Sequence, residues 1–200
     1  LLAFEDIIRA ESGYDAFALP YWNWIKNPTL PRSFLQAPLL DTTRQFGAND
    51  RLTDSSSFGE SFDPNLFQSN VMDVPEFELF AGEIRGQTAN TRIDWQKAGE
   101  PNWVGPPGFN TDDQLSTGSL EGGPHNGVHS TLGGNMGNFM SPLDPIFWLH
   151  HCNVDRLWTV WRQCGRAANR RVTSQSSLWQ NYAFTFNNRA DFVSPTGAAR

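Results

Sequence analysis

Cysteine, histidine and positive charge are all scarce in this sequence, and each scarcity narrows what the chain can do. Its 200 residues include two cysteines, Cys152 and Cys164. Both fall in one stretch with helical spacing, where twelve residues at 1.5 Å rise put them about 18 Å apart, far beyond disulfide reach. They cannot pair with each other, and a buried thiol acting as a small apolar group is the plainest role for each. The 15 Lys and Arg are outnumbered by 21 Asp and Glu, giving a net charge of −6. No basic stripe is present to neutralise a phosphate backbone, so nucleic acid is not an expected partner. Neither is a membrane, because no apolar run approaches the roughly 20 residues of a bilayer span. The opening, LLAFEDIIRAES, shows no Met, basic leader or cleavage site and starts directly inside an amphipathic pattern. The expectation is that sequence upstream is missing.

What is present fits one domain with a real core. Leu1, Phe4 and Ile8 follow a helical period that runs out near Gly13. LPYWNW at 19–24 reads as extended chain lining the core, and its Tyr and Trp polar tips need partners if buried. From about Lys26 to Thr117 the chain is rich in Asn, Pro, Gly, Ser and Asp, which predicts long ordered loops of the kind that serve a site or wrap a scaffold. The firmest element is a helix over 144–164, with Asp144 as N-cap, Pro145 in the first helical position and Gly165 as the stop. Phe147, His151, Val154, Trp158 and Trp161 recur on one face of it, which predicts an inward stripe and an inward His151. His150, about 100° around the helix, is expected to point elsewhere in a structural or supporting role.

All four histidines lie between 125 and 151. His125 and His129 are four apart, so on a helix their rings stack on one face, the spacing needed to grip one metal ion. The surrounding glycines make that helix weak by propensity, and a bound metal would offset the weakness. His151 supplies a third imidazole, and three neutral imidazoles suit copper, zinc, iron or nickel. Zinc proteolysis of the HExxH type is disfavoured, because the position after the first histidine is Asn126.

PHNGVH followed by SPLDPIFWLHHCNVDRLW resembles the second copper-binding signature of tyrosinases, catechol oxidases and molluscan-type haemocyanins, the type-3 copper proteins. LLAFED and LPYWNW are similar to the stretch that follows the first copper site in that family. The resemblance implies a mainly α fold, in which this chain forms part of a four-helix core wrapped by long irregular loops and truncated at its N-terminus. Residues 1–165 would be the copper-binding domain and 166–200 an irregular extension. It implies His125, His129 and His151 as ligands of the second copper, and Glu121 with Asn126 as the acid and amide that hold a water able to deprotonate a phenol. Phe147 would pack beside the ligated His151 ring, and Ser130 would leave room over the metal. Asp144 is expected to cap its helix and Asp155 to form an ion pair.

The resemblance further implies an oxidoreductase that turns o-diphenols, and in tyrosinases monophenols, into o-quinones with O2. The cofactor is copper, two ions in the complete protein and one held by this chain; the partners are a phenolic small molecule and O2. The first copper site needs three further histidines, and this chain has only His150 left over. Two other readings stay open at this level: a haemocyanin-like oxygen-binding unit, and a mononuclear metal domain without redox turnover.

Overall fold

Helix α5, Ile146–Gln163, organises the structure, a computed structural model that describes residues 1–45, 51–54, 59–75, 77–84 and 115–163. Asp144 starts this helix by accepting the Ile146 backbone N–H on its Oδ1 at 3.0 Å, and Pro145 between them has no N–H to satisfy. Its fully buried face carries Ile146, His150, Asn153, Leu157 and Trp161. The inward stripe expected from the apolar pattern is therefore turned by one residue. Phe147, His151, Val154 and Trp158 are only half-buried, and of that stripe Trp161 alone belongs to the buried face. The physical reason is that apolar side chains also wall a cavity, while His150 and Asn153 go inside, His150 with a hydrogen-bond partner.

The N-terminal segment is bound to this helix. Helix α1, Leu2–Ser12, ends at Gly13, whose φ of 68° is the left-handed stop that a residue without Cβ adopts freely. Phe4 of α1 stacks on Trp148 with ring centroids 3.8 Å apart. Glu5 is held by Arg9 at 3.0 Å and accepts the Leu19 backbone N–H at 2.8 Å, which directs the chain into the aromatic run. There the Trp22 N–H donates to the Leu149 carbonyl at 3.1 Å. Both Trp22 and Trp24 are buried, and each indole finds its acceptor: Trp22 donates to the Asn27 carbonyl at 2.9 Å and Trp24 to His150 Nδ1 at 3.1 Å. Burying two such rings contributes about 4–6 kcal/mol of transfer free energy each, before entropy is counted.

The stretch expected to be loops is broken into short pieces. Helical turns occupy Arg32–Leu35, Leu52–Asp54 and Gly59–Phe62. Helix α2, Pro64–Phe67, is capped by Asp63, which accepts from the Asn65 and Leu66 N–H groups, and runs on as a wide π-turn over Gln68–Met72. Helix α3, Phe77–Ala81, leads into strand β1, Gly82–Ile84, which pairs antiparallel with β2, Leu115–Thr117, placing Gly82 opposite Thr117. Phe62 and Phe67 meet the edge of Trp24, and Phe80 stacks on Trp161 at 4.4 Å. No helix among the described residues is long and apolar enough to cross a membrane. The expected extension 166–200, the Gly165 stop and Cys164 lie outside the described residues.

Helix α4, Asn126–Leu132, follows a π-turn over Glu121–His125. Gly133 (φ 59°) ends it and Gly134 (φ 55°) follows in the same left-handed region. At Gly134 a Cβ would also strike the Thr43 carbonyl, so only glycine lets the 41–45 strap close here. That strap binds both histidine helices. The Gln45 N–H donates to the Leu132 carbonyl at 2.8 Å, Thr43 Oγ1 accepts the Asn135 N–H at 2.9 Å, and Arg44 pairs with Asp144 at the start of α5.

Candidate metal centre

The end of the π-turn, α4 and α5 together bring His125, His129, His150 and His151 to one point. A ring nitrogen from each lies within 4.8 Å of the other three. His129 Nε2 and His151 Nε2 are 3.4 Å apart, and the His125 ring centroid is 4.7 Å from that of His129 and 5.2 Å from that of His151. The expectation that His150 points elsewhere is corrected by this geometry. Its ring centroid lies 5.2 Å from His125 and 5.0 Å from His129. Adjacent residues differ by about 100° around a helix, yet two imidazoles are long enough to converge on a point between their directions.

Hydrogen bonds to oxygen fix which nitrogen of His129 and His125 is free. His129 Nδ1 lies 2.7 Å from the Met136 carbonyl, which can only accept, so the proton is on Nδ1 and Nε2 keeps its lone pair. His125 Nδ1 donates likewise to Asn126 Oδ1 at 3.0 Å. This is the usual setting of metal-ligating histidines, in which one ring nitrogen donates to an oxygen and the other binds the ion. Two nitrogens at about 2.0–2.1 Å from a shared ion, at a tetrahedral angle, would be about 3.3 Å apart. The 3.4 Å between the His129 and His151 nitrogens suits such sharing.

Electrostatics keep the lone pairs available. Burial lowers the pKa of His125 and His129, with the Asn126 and Met136 hydrogen bonds pulling the other way. His151 is pushed down to about 3, by burial first and then by repulsion from His125 and His129. At neutral pH the cluster is a set of uncharged nitrogen donors, suited to copper or zinc.

One side of the cluster opens on a cavity of about 690 Å³, bordered by Glu121, His125, His151 and the apolar Leu120, Phe147, Val154 and Trp158. Phe147 lies against His151 with centroids 4.1 Å apart. Glu121 is exposed overall while lining this cavity; partial burial raises its pKa, against the pull of His129. Asn126 does not line the cavity, its side-chain oxygen being engaged by His125. Ser130 is exposed and away from the cavity, and Asp155 sits exposed at the rim with no ion pair among the described residues. Sequence reasoning does not find Trp24, the Met136 carbonyl or the Phe80–Ala81 wall. Of these only Trp24 carries a signal, as an indole needing an acceptor.

Residues 1–164 match the common central domain of tyrosinase. The chain belongs to the tyrosinase family of type-3 copper proteins. Among its relatives, chloroplastic catechol oxidase B of Solanum tuberosum is 31% identical over 199 residues, 93% of this chain and 32% of that protein. A tyrosinase of Hahella sp. (strain CCB-MM4) is 31% identical over 203 residues, 94% of this chain and 39% of that one. The structure of latent apple tyrosinase superposes with a TM-score of 0.58 at 26% identity, over 87% of this chain and 38% of that one. The chain thus spans about a third of the length of these relatives. The relatives bear the names of a catechol oxidase and a tyrosinase, and in this chain four histidines are positioned to bind metal.

Proposed function

We propose that His125, His129 and His151 hold one copper ion, and that the complete protein uses a copper pair to oxidise o-diphenols, and in the tyrosinase manner monophenols, to o-quinones with O2. On this reading residues 1–165 form the copper domain and 166–200 an irregular extension. The observation that carries it is the shared tautomer of His125 and His129, each ring donating from Nδ1 and leaving Nε2 free beside His151. Three imidazoles per ion require six for a pair, and the chain has four histidines. On this reading His150 is the one histidine left over, so at least two of the second ion's ligands come from outside these 200 residues.

Bound copper would supply the activation of O2 and the electron transfer. The protein's own groups hold, orient and deprotonate. Phe147 braces His151 through ring contact, so that the ligand stays directed at the site. Leu120, Val154 and Trp158 offer apolar walls against which a flat phenol ring excludes water. Glu121, its pKa raised by burial, stands at the same cavity as a base for the phenol hydroxyl, and Asn126 fixes the His125 ring rather than touching substrate. The test is catechol oxidation under O2 by the complete protein, followed as quinone colour. Turnover supports the oxidase reading; reversible O2 binding without turnover would favour an oxygen carrier, and absence of copper from the purified protein would refute both.

A further inference from the structure

The four histidines are not equivalent, because a buried indole donor occupies the Nδ1 lone pair of His150 and of no other. We propose that Trp24 sets the ligand number of this centre: its indole N–H holds His150 in the Nε2–H tautomer and so keeps the fourth imidazole off the ion. The inference rests on the metal reading above and goes beyond it by assigning a positioning role to Trp24, a residue 126 positions from its partner.

An indole nitrogen can only donate. Trp24 Nε1 lies 3.1 Å from His150 Nδ1 with both residues fully buried, so Nδ1 is the acceptor and carries the lone pair. A neutral imidazole has one ring proton, which must then sit on Nε2. His150 Nε2 is buried and has no hydrogen-bond partner among the described residues. A protonated ring nitrogen offers no lone pair to a metal, although the ring is inside the cluster. His125 and His129 show the reverse arrangement, each giving its Nδ1 proton to an oxygen. An orphaned buried N–H is costly, and the proton stays on Nε2 because Trp24 occupies the alternative site for it. Removing the indole donor would free the proton to move to Nδ1 and let Nε2 bind. A fourth imidazole would then fill the position that a reactive centre keeps open.

The test has two independent readouts. First, nitrogen-15 NMR of the metal-free protein, with its four histidines labelled, reports the tautomer of each ring. His150 should show a pyrrole-type Nε2 and a pyridine-type Nδ1, and His125 and His129 the opposite; a proton on His150 Nδ1 overturns the proposal. Second, pulsed EPR of the copper-loaded protein counts coordinated imidazoles. Three are expected in the parent and four in Trp24→Phe, a change that loss of packing alone would not produce. Four in the parent, or three in a folded Trp24→Phe, overturns it. Should that variant not fold, the parent's tautomer and ligand count still decide. Failure of the parent to bind copper would refute the metal reading, whereas the NMR spectra of the metal-free parent and Trp24→Phe would still show whether Trp24 fixes the His150 tautomer.

Discussion

Arg44 forks onto Asp144 across a hundred residues of sequence, with Nε 2.6 Å from Oδ2 and Nη2 2.5 Å from Oδ1. The remaining guanidinium donors reach the carbonyls of Phe34 and Leu39, and both charged side chains are almost wholly buried. Asp144 also caps α5, so one carboxylate ties the strap to the helix that carries His150 and His151. Arg44→Ala leaves that charge buried and unpaired, and urea unfolding should show a loss of about 3–5 kcal/mol. Arg44→Lys should recover only part of it, because an ammonium cannot reproduce the fork. An Arg44→Ala protein as stable as the parent would show that the pair does not hold the strap.

Acid should destabilise the metal-free protein through its histidines. Their pKa values are lowered on folding, that of His151 to about 3, whereas an unfolded histidine titrates near about 6.5. Between those values the unfolded chain binds more protons, so stability is complete above about pH 6.5 and declines as pH falls toward 3. Urea midpoints at a series of pH values should decrease across this window, and substituting His151 should flatten the decline. A midpoint rising on acidification would show that the histidines are not held neutral by the fold.

Gly134→Ala should be far more harmful than Gly137→Ala. Position 134 combines a φ of 55° with a collision against the Thr43 carbonyl, while a Cβ at 137 meets nothing within 4 Å. Strain alone costs about 1–3 kcal/mol at such a backbone position. Thermal denaturation of the two variants measures the difference, and equal melting temperatures would contradict the account of the strap.

Glu121→Gln should leave copper content unchanged, since the carboxylate lies outside the histidine cluster, and should slow phenol oxidation by the complete protein about 10²–10⁴-fold, the usual worth of a positioned base. The measurement is steady-state catechol turnover beside metal analysis. Unchanged turnover would reduce Glu121 to a solvated carboxylate at the rim.

The sequence is legible where spacing alone decides geometry. The α5 helix with its Asp144 cap, the His125–His129 pair and the buried Trp22 and Trp24 of the aromatic run follow from local pattern, while Tyr21 of that run is exposed. The face of α5 does not, because an apolar stripe points inward only when the core is its sole destination. Here Phe147, Val154 and Trp158 serve as cavity walls while His150 and Asn153 are buried. The partners that fix the tautomers leave no local trace either. Met136 acts through a backbone carbonyl, which any residue carries, and the pairing of Trp24 with His150 depends on tertiary packing across 126 positions. The Arg44–Asp144 pair is of the same kind, one charge in a loop meeting another a hundred residues away.

If three of the four clustered histidines hold one copper ion, copper content per chain by atomic absorption tests it most directly. The parent and His150→Ala should each carry one ion per chain after removal of excess metal, and His151→Ala should carry none. Two ions in the parent, or equal losses in the two variants, would contradict the account.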